Sequence, residues 1–301
     1  HNPVARAASD IHFLEQLTPA RPIVADLFLD EKGRPSLRLY QLGNLILSEM
    51  LPVLDNFGLL IYDQYSDPIH PRKGDPKDID TFRIQGVNGL TTEQLLERRA
   101  LLVEALVAVF AKKMPDDSLN RLLLAANIPW KDVDLIRAYR GYARQIGLTL
   151  TLPRIQEILL NQAGLVSALV GYFHARFNPA LDADARKVAM TATAEVVDSG
   201  LRRLRAHDED MLLRLLFNLM QSSMRTNYYR TDKRAHYLSF KVQHNLVSHL
   251  PEPRMKYEIY VHHNEMEGLH LRGGSIARGG IRWSDRSDFR TEILDLVRTQ
   301  M

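Results

Sequence analysis

Arg278-Gly-Gly-Ile-Arg282 sets two glycines between two guanidiniums, a pattern suited to anion chemistry. Planar arginine forks match carboxylate or phosphate, and glycine lets a ligand come close to the backbone. A second pair, Gly273-Gly274, follows Arg272 on the same strand-like stretch. Spacing alone leaves two readings open. One is an anion cradle in which the N–H groups of Gly279 and Gly280 work with Arg278 and Arg282. The other, favoured for short glycine-rich signals, is a plain turn between strands with solvated arginines. A nucleic-acid reading also exists, because Arg272, Arg278, Arg282, Arg286 and Arg290 form a basic run. Asp285, Asp288 and Glu292 interleave with that run and stacking aromatics are few, which weakens it.

His262, His263, His270, Glu265 and Glu267 cluster in sequence and raise the question of a metal. Strand alternation puts His262 and His263 on opposite faces, and no pair of histidines one helical turn apart is present. The cluster reads as a polar hairpin tip, and no metal is expected. Arg225-Thr-Asn-Tyr-Tyr229 and Tyr237-Leu-Ser-Phe-Lys241 form a polar–aromatic junction whose rings should pack at a domain interface. Neither a G-x-S-x-G elbow nor a G-x-G-x-x-G fingerprint occurs.

The elements that must position these residues point to an α+β, multidomain chain. Residues 1–34 read as an irregular lead-in with one apolar run, Ile23–Leu29. Residues 35–90 read as an ACT-like (ferredoxin-like) α/β module. Its strands lie at Leu37–Leu39, Leu59–Tyr62 and Thr81–Gln85, with a short helix ending at Gly58 and a loop over Asp67–Pro76. Residues 91–250 read as a bundle of about six helices, opened by a capping box at Thr91–Gln94. Residues 251–301 read as the first strands and helix of an α/β domain. There Tyr257, Ile259 and Val261 share one strand face, and Ser287 or Asp288 caps a helix with Phe289, Ile293, Leu296 and Val297 on one side.

Composition is that of an ordinary globular protein: 301 residues, 45% apolar, 25% charged, net charge +3. So small a charge predicts no strong attraction to nucleic acid or membrane. The absence of cysteine excludes disulfides and thiolate metal sites and fits a cytoplasmic location. No apolar run reaches the length of a membrane span. The chain starts at His1 and stops within a helical pattern at Met301, so a piece of a larger protein is expected.

The segment Leu269-His-Leu-Arg-Gly-Gly-Ser-Ile-Ala-Arg-Gly-Gly-Ile-Arg-Trp-Ser-Asp-Arg286, with Asp288–Ile293, resembles the signature of the large-subunit bacterial NAD-specific glutamate dehydrogenases. Leu47–Pro52, Arg137–Tyr139 with Arg144–Gly147, Phe173–Phe177 and Arg225–Tyr228 resemble the same family. The resemblance implies ACT-like modules, helical motifs and then a catalytic region, of which 251–301 would begin the substrate domain. It implies oxidative deamination of L-glutamate to 2-oxoglutarate and ammonia, with NAD as hydride acceptor, by a homo-oligomer. It further implies that Arg278 stands for the lysine of the family's K-G-G-x-R segment, with Gly279, Gly280 and Arg282 matching the rest. Gln300 matches a glutamine three residues before a substrate-binding lysine. The substrate-binding set is therefore Arg278, Gly279, Gly280, Arg282 and Gln300, with no catalytic, cofactor-binding or metal-binding residue expected in the chain. By the same analogy the ACT-like module would serve regulation or assembly. The isolated chain is expected to be inactive and not to bind NAD. The alternative is a stand-alone helical interaction or nucleic-acid-binding protein that uses the Arg/Gly-rich segment.

Overall fold

Helix α1 (Val4–Glu15) and strand β1 (Ile23–Leu29) occupy residues that the sequence reads as an irregular lead-in. The computed structural model describes residues 4–43, 46–72, 74–86, 89–232, 235–248, 250, 255–274, 276–283 and 289–300. It divides into two compact units, His1–Val133 and Asp134–Met301. In the first unit β1 is a full sheet member, because Ile23 to Leu27 are all buried. It pairs antiparallel with β2 (Pro35–Leu42), and helix α2 (Leu47–Asn56) leads to β3 (Leu59–Ile69) and β4 (Lys77–Gly86). The strand order is β1-β2-β4-β3. β2-α2-β3 with β4 inserted between its strands is the split βαβ unit of a ferredoxin-like fold. β1 supplies the outer strand from the N-terminal side, so the ACT-like module starts before residue 35.

β3 also runs further than expected, through Pro68 into the residues read as a loop. It is an edge strand, where a missing N–H leaves no ladder bond unmade. Helices α3 (Thr92–Glu97), α4 (Arg99–Phe110) and α5 (Arg121–Ala125) follow. Thr91 and Gln94 make both halves of the expected capping box, and α4 packs on β1 as α2 does on β3. Leu17, Val24, Tyr40 and Ile79 form a core with Phe13 and Leu14 of α1. Charge reinforces that contact. Asp10 accepts from Arg38 at 2.5 Å and Tyr40 at 2.6 Å, and Asp26 pairs with Arg6 at 2.8 Å and Arg99 at 2.7 Å.

Helix α6 (Trp130–Gln145) enters the second unit at Asp134, followed by α7 (Leu152–Asn161), α8 (Ala163–Phe177), α9 (Ala183–Leu201) and α10 (His207–Ser222). Side chains of Thr151 and Asp182 cap α7 and α9. Three acids in the first turn of α10 complement its dipole. Two strands then appear where only helix was expected, β5 (Ser223–Thr226) and β6 (Leu238–Gln243). β6 alternates buried and half-buried residues along its whole length. With β7 (Tyr257–His262), β8 (Glu267–Gly273) and β9 (Ile276–Arg282) they form an antiparallel meander in sequence order. Helix α11 (Phe289–Arg298) packs on β8 and β9. It buries Phe289, Ile293 and Val297 as expected, but Leu296 is exposed while Arg290 is buried. The expected caps Ser287 and Asp288 lie outside the described residues, as does the expected break at Pro251–Pro253.

One face of this sheet is covered by aromatics. Tyr139 of α6 stacks on Phe240 at 4.3 Å, and Tyr142 meets Tyr260 at 5.4 Å. The fit requires Gly141, where a Cβ would overlap the Tyr260 hydroxyl and lie 3.2 Å from Glu267 Oε1. Replacing Gly141 by Ala is expected to lower unfolding free energy by about 1–3 kcal/mol, as overpacking does. Gly164→Ala in α8, where a Cβ meets nothing within 4 Å, should be neutral or stabilising. Urea unfolding of both variants checks this, and equal effects would refute the packing role of Gly141.

Candidate functional site

β9 is the edge strand that carries Arg278, Gly279, Gly280 and Arg282. The glycine pair lies within the strand rather than in a turn, with Gly279 opposite His270 and Gly280 opposite Leu269. Neither glycine has positive φ; the turn lies earlier, at Gly274 with φ +77°. What the pair permits is close approach. A Cβ at Gly280 would lie 3.2 Å from the Phe289 ring and 3.5 Å from Ile293 of α11. A Cβ at Gly279 would lie 3.1 Å from the Leu269 carbonyl oxygen. Gly280 therefore seats α11 on the sheet edge, while Gly279 stays exposed.

Alternation puts Arg278, Gly280 and Arg282 on the face that α11 covers. Arg278 donates through Nη1 to the Ala277 carbonyl at 3.1 Å and through Nη2 to Gln300 Oε1, just past the end of α11. Residues 22 positions apart thus meet. Arg282 differs: it is buried and its Nη2 donates to Glu267, while Nε and Nη1 have no hydrogen-bond partner among the described residues. Arg278 and Gln300 are accessible, whereas Arg282 is fixed by an internal carboxylate.

Below this edge lie two buried acids that sequence reasoning did not single out. Glu258 Oε1 accepts from Arg290 Nη2 at 2.6 Å and from His244 Nε2 at 2.5 Å, and Oε2 accepts from Tyr142 at 2.7 Å. The Met255 N–H donates to His244 Nδ1 at 2.9 Å, which leaves the imidazole proton on Nε2, facing Glu258. Asp134 meets His236 at 2.7 Å, His262 at 3.0 Å and Arg137 at 3.0 Å. His262 is therefore a buried partner of Asp134 rather than part of a hairpin tip. Burial opposes ionisation of both acids. The cation and hydrogen-bond partners outweigh it, holding Glu258 below and Asp134 well below the usual carboxylate range.

The alternation expected of β7 is present. Tyr257, Ile259 and Val261 are half-buried, while Glu258, Tyr260 and His262 are buried. The missed signal is the matching polar set on other elements, Asp134, Tyr142, His244 and Arg290. The aromatics of 225–241 do pack, with Tyr228 against Phe173 at 5.4 Å and Tyr229 hydroxyl against His174 Nδ1 at 2.5 Å. Among the described residues no group of three or more His, Asp or Glu is arranged to hold a metal ion. Nor is any single helix among them long and apolar enough to cross a membrane.

Three consecutive parts of the chain match known families. Residues 26–95 match the glutamate dehydrogenase ACT3 domain, 114–179 match glutamate dehydrogenase helical motif 3, and 196–301 match the catalytic domain of bacterial NAD-glutamate dehydrogenase. The NAD-specific glutamate dehydrogenase of Pseudomonas aeruginosa is 35% identical over 304 residues, covering 98% of this chain and 19% of that protein. Those of Halomonas elongata and Mycobacterium tuberculosis are 34% and 33% identical, each over 98% of this chain. The chain spans 18–19% of the length of these relatives.

A carboxylate with a depressed folded-state pKa adds stability above its unfolded value, near pH 4, and loses it as pH falls through the folded value. Unfolding free energy should therefore drop steadily on acidification below about pH 4. Asp134→Asn should cost about 3–5 kcal/mol at neutral pH, since it takes the carboxylate charge away from its buried cationic partners. It should also flatten the acid slope. Urea denaturation across pH measures both, and a variant with the wild-type slope would rule out Asp134 as its source.

Proposed function

Because this chain belongs to the bacterial NAD-specific glutamate dehydrogenase family, we propose that it carries the substrate-carboxylate contacts of an enzyme that oxidatively deaminates L-glutamate to 2-oxoglutarate and ammonia. One observation carries the assignment of residues: Arg278 on β9 and Gln300 beyond α11 converge on one accessible point beside exposed Gly279. A guanidinium there neutralises a carboxylate and holds it bidentately, and Gln300 adds an amide donor. Gly279 and Gly280 keep the strand free of side chains at that point. Arg282 lies on the same face, its guanidinium held by Glu267, with Nε and Nη1 without a hydrogen-bond partner among the described residues.

In the proposed enzyme NAD accepts the hydride. Every strand pairing among the described residues is antiparallel, unlike the adjacent parallel strands of a dinucleotide-binding fold, and no residue here is assigned to the cofactor. No acid–base residue is assigned in this chain either, and on this reading the isolated chain neither binds NAD nor turns over glutamate. The same reading carries a cytoplasmic, homo-oligomeric enzyme. The basic run offers less to nucleic acid than its arginine count implies, since Arg282 and Arg290 are buried against Glu267 and Glu258.

In the full-length enzyme, Arg278→Ala should raise the KM for glutamate about 10- to 100-fold, the loss of a hydrogen bond to a charged group. The KM for NAD should stay unchanged. Gln300→Ala should act in the same direction but more weakly. Steady-state kinetics decides this, and a wild-type glutamate KM for Arg278→Ala would remove β9 from the substrate site.

A further inference from the structure

Gln145, the last residue of α6, lies where three elements of the candidate site meet. Its Oε1 accepts from the backbone N–H of Arg290, the second residue of α11, at 3.0 Å. That N–H is one of the donors a helix start leaves unpaired, so α6 caps α11 from outside. Its Nε2 donates to Glu267 Oε2 at 3.1 Å, and the same oxygen accepts from Arg282. Gln145 is itself buried. A neutral amide can accept from the helix through its oxygen and donate to the carboxylate through its nitrogen at the same time.

The consequences follow from α11 as a rigid lever. One end is pinned by Gln145 and by the Arg290 guanidinium on Glu258. Gln300 lies just beyond the other end, against Arg278. The same amide orients Glu267, which holds Arg282. We infer that Gln145 is a positioning residue that sets the separation of Arg278, Arg282 and Gln300 and thereby the affinity of the site for a carboxylate. This rests on the proposed substrate role of Arg278 and Gln300.

The test uses the full-length enzyme with Gln145→Leu, which keeps the bulk and removes both hydrogen bonds. A glutamate KM raised about 10-fold or more, with the KM for NAD unchanged, is expected, because small misplacement of binding groups is costly. Gln145→Glu supplies a second readout and serves if the leucine variant does not fold. It retains the acceptor for Arg290 but sets a second carboxylate beside Glu267. Its glutamate KM relative to wild type should be raised, and should fall toward one as assay pH is lowered, since a protonated glutamate regains the donor. A folded leucine variant with lowered thermal stability but a wild-type glutamate KM would reduce Gln145 to a structural role and overturn the inference. So would a pH-independent ratio for Gln145→Glu. Arg278→Ala measured in parallel separates the two claims. An effect there with silent Gln145 variants overturns the positioning role alone, and silence in both overturns the substrate reading as well.

Discussion

Glu258 is a fully buried carboxylate on the central strand of the second sheet, and much of the second unit follows from keeping that carboxylate ionised. An unpaired charge there would cost several kcal/mol. Arg290, His244 and Tyr142 come from α11, the turn after β6, and α6, and each gives a donor to it. The backbone N–H of Met255 fixes which nitrogen of His244 can serve. The ion cluster therefore does more than offset its own burial. It specifies which residues of three elements must touch the sheet, and so where α11 lies along β9.

The first unit uses the same device at a different join. Asp10 and Asp26 gather Arg6, Arg38, Arg99 and the Tyr40 hydroxyl where α1 and α4 meet the sheet. Leu17, Val24 and Ile79 supply the apolar area, and aliphatic contact tolerates sliding where paired charges do not. In both units charge pairs set the register of a helix on a sheet whose apolar face would accept several placements. The glycines complement them. Gly141 and Gly280 remove the one carbon that would hold α6 and α11 away from their strands.

Legibility in the sequence followed range. The capping box at Thr91, the helix stop at Gly58 and the strand at Leu37–Leu39 are local, and each is found where local chemistry puts it. β1 does not stand out from the sequence, because a buried strand of seven residues without alternation looks like any short apolar run. The aromatic and polar neighbours of β6 read as a junction, although Leu238, Phe240 and Val242 alternate cleanly. Leu296 was placed inward by helical spacing, but Arg290 holds α11 rotated so that the leucine faces solvent.

By itself the sequence determined the α+β class, the ferredoxin-like module, the run of helices and the arginine and glycine residues whose chemistry suits an anion, because all of these depend on propensity, periodicity and side-chain type. Tertiary structure alone decided which of those residues share a point in space. Arg278 and Gln300 meet because α11 folds back over β9, and Arg282 turns inward because Glu267 lies beside it. It also decided that Glu258, Tyr260 and His262 form the buried face of β7. Hydrophobicity assigns a strand face one residue at a time, whereas the burial of a charge depends on partners more than a hundred residues away, as with His262 and Asp134.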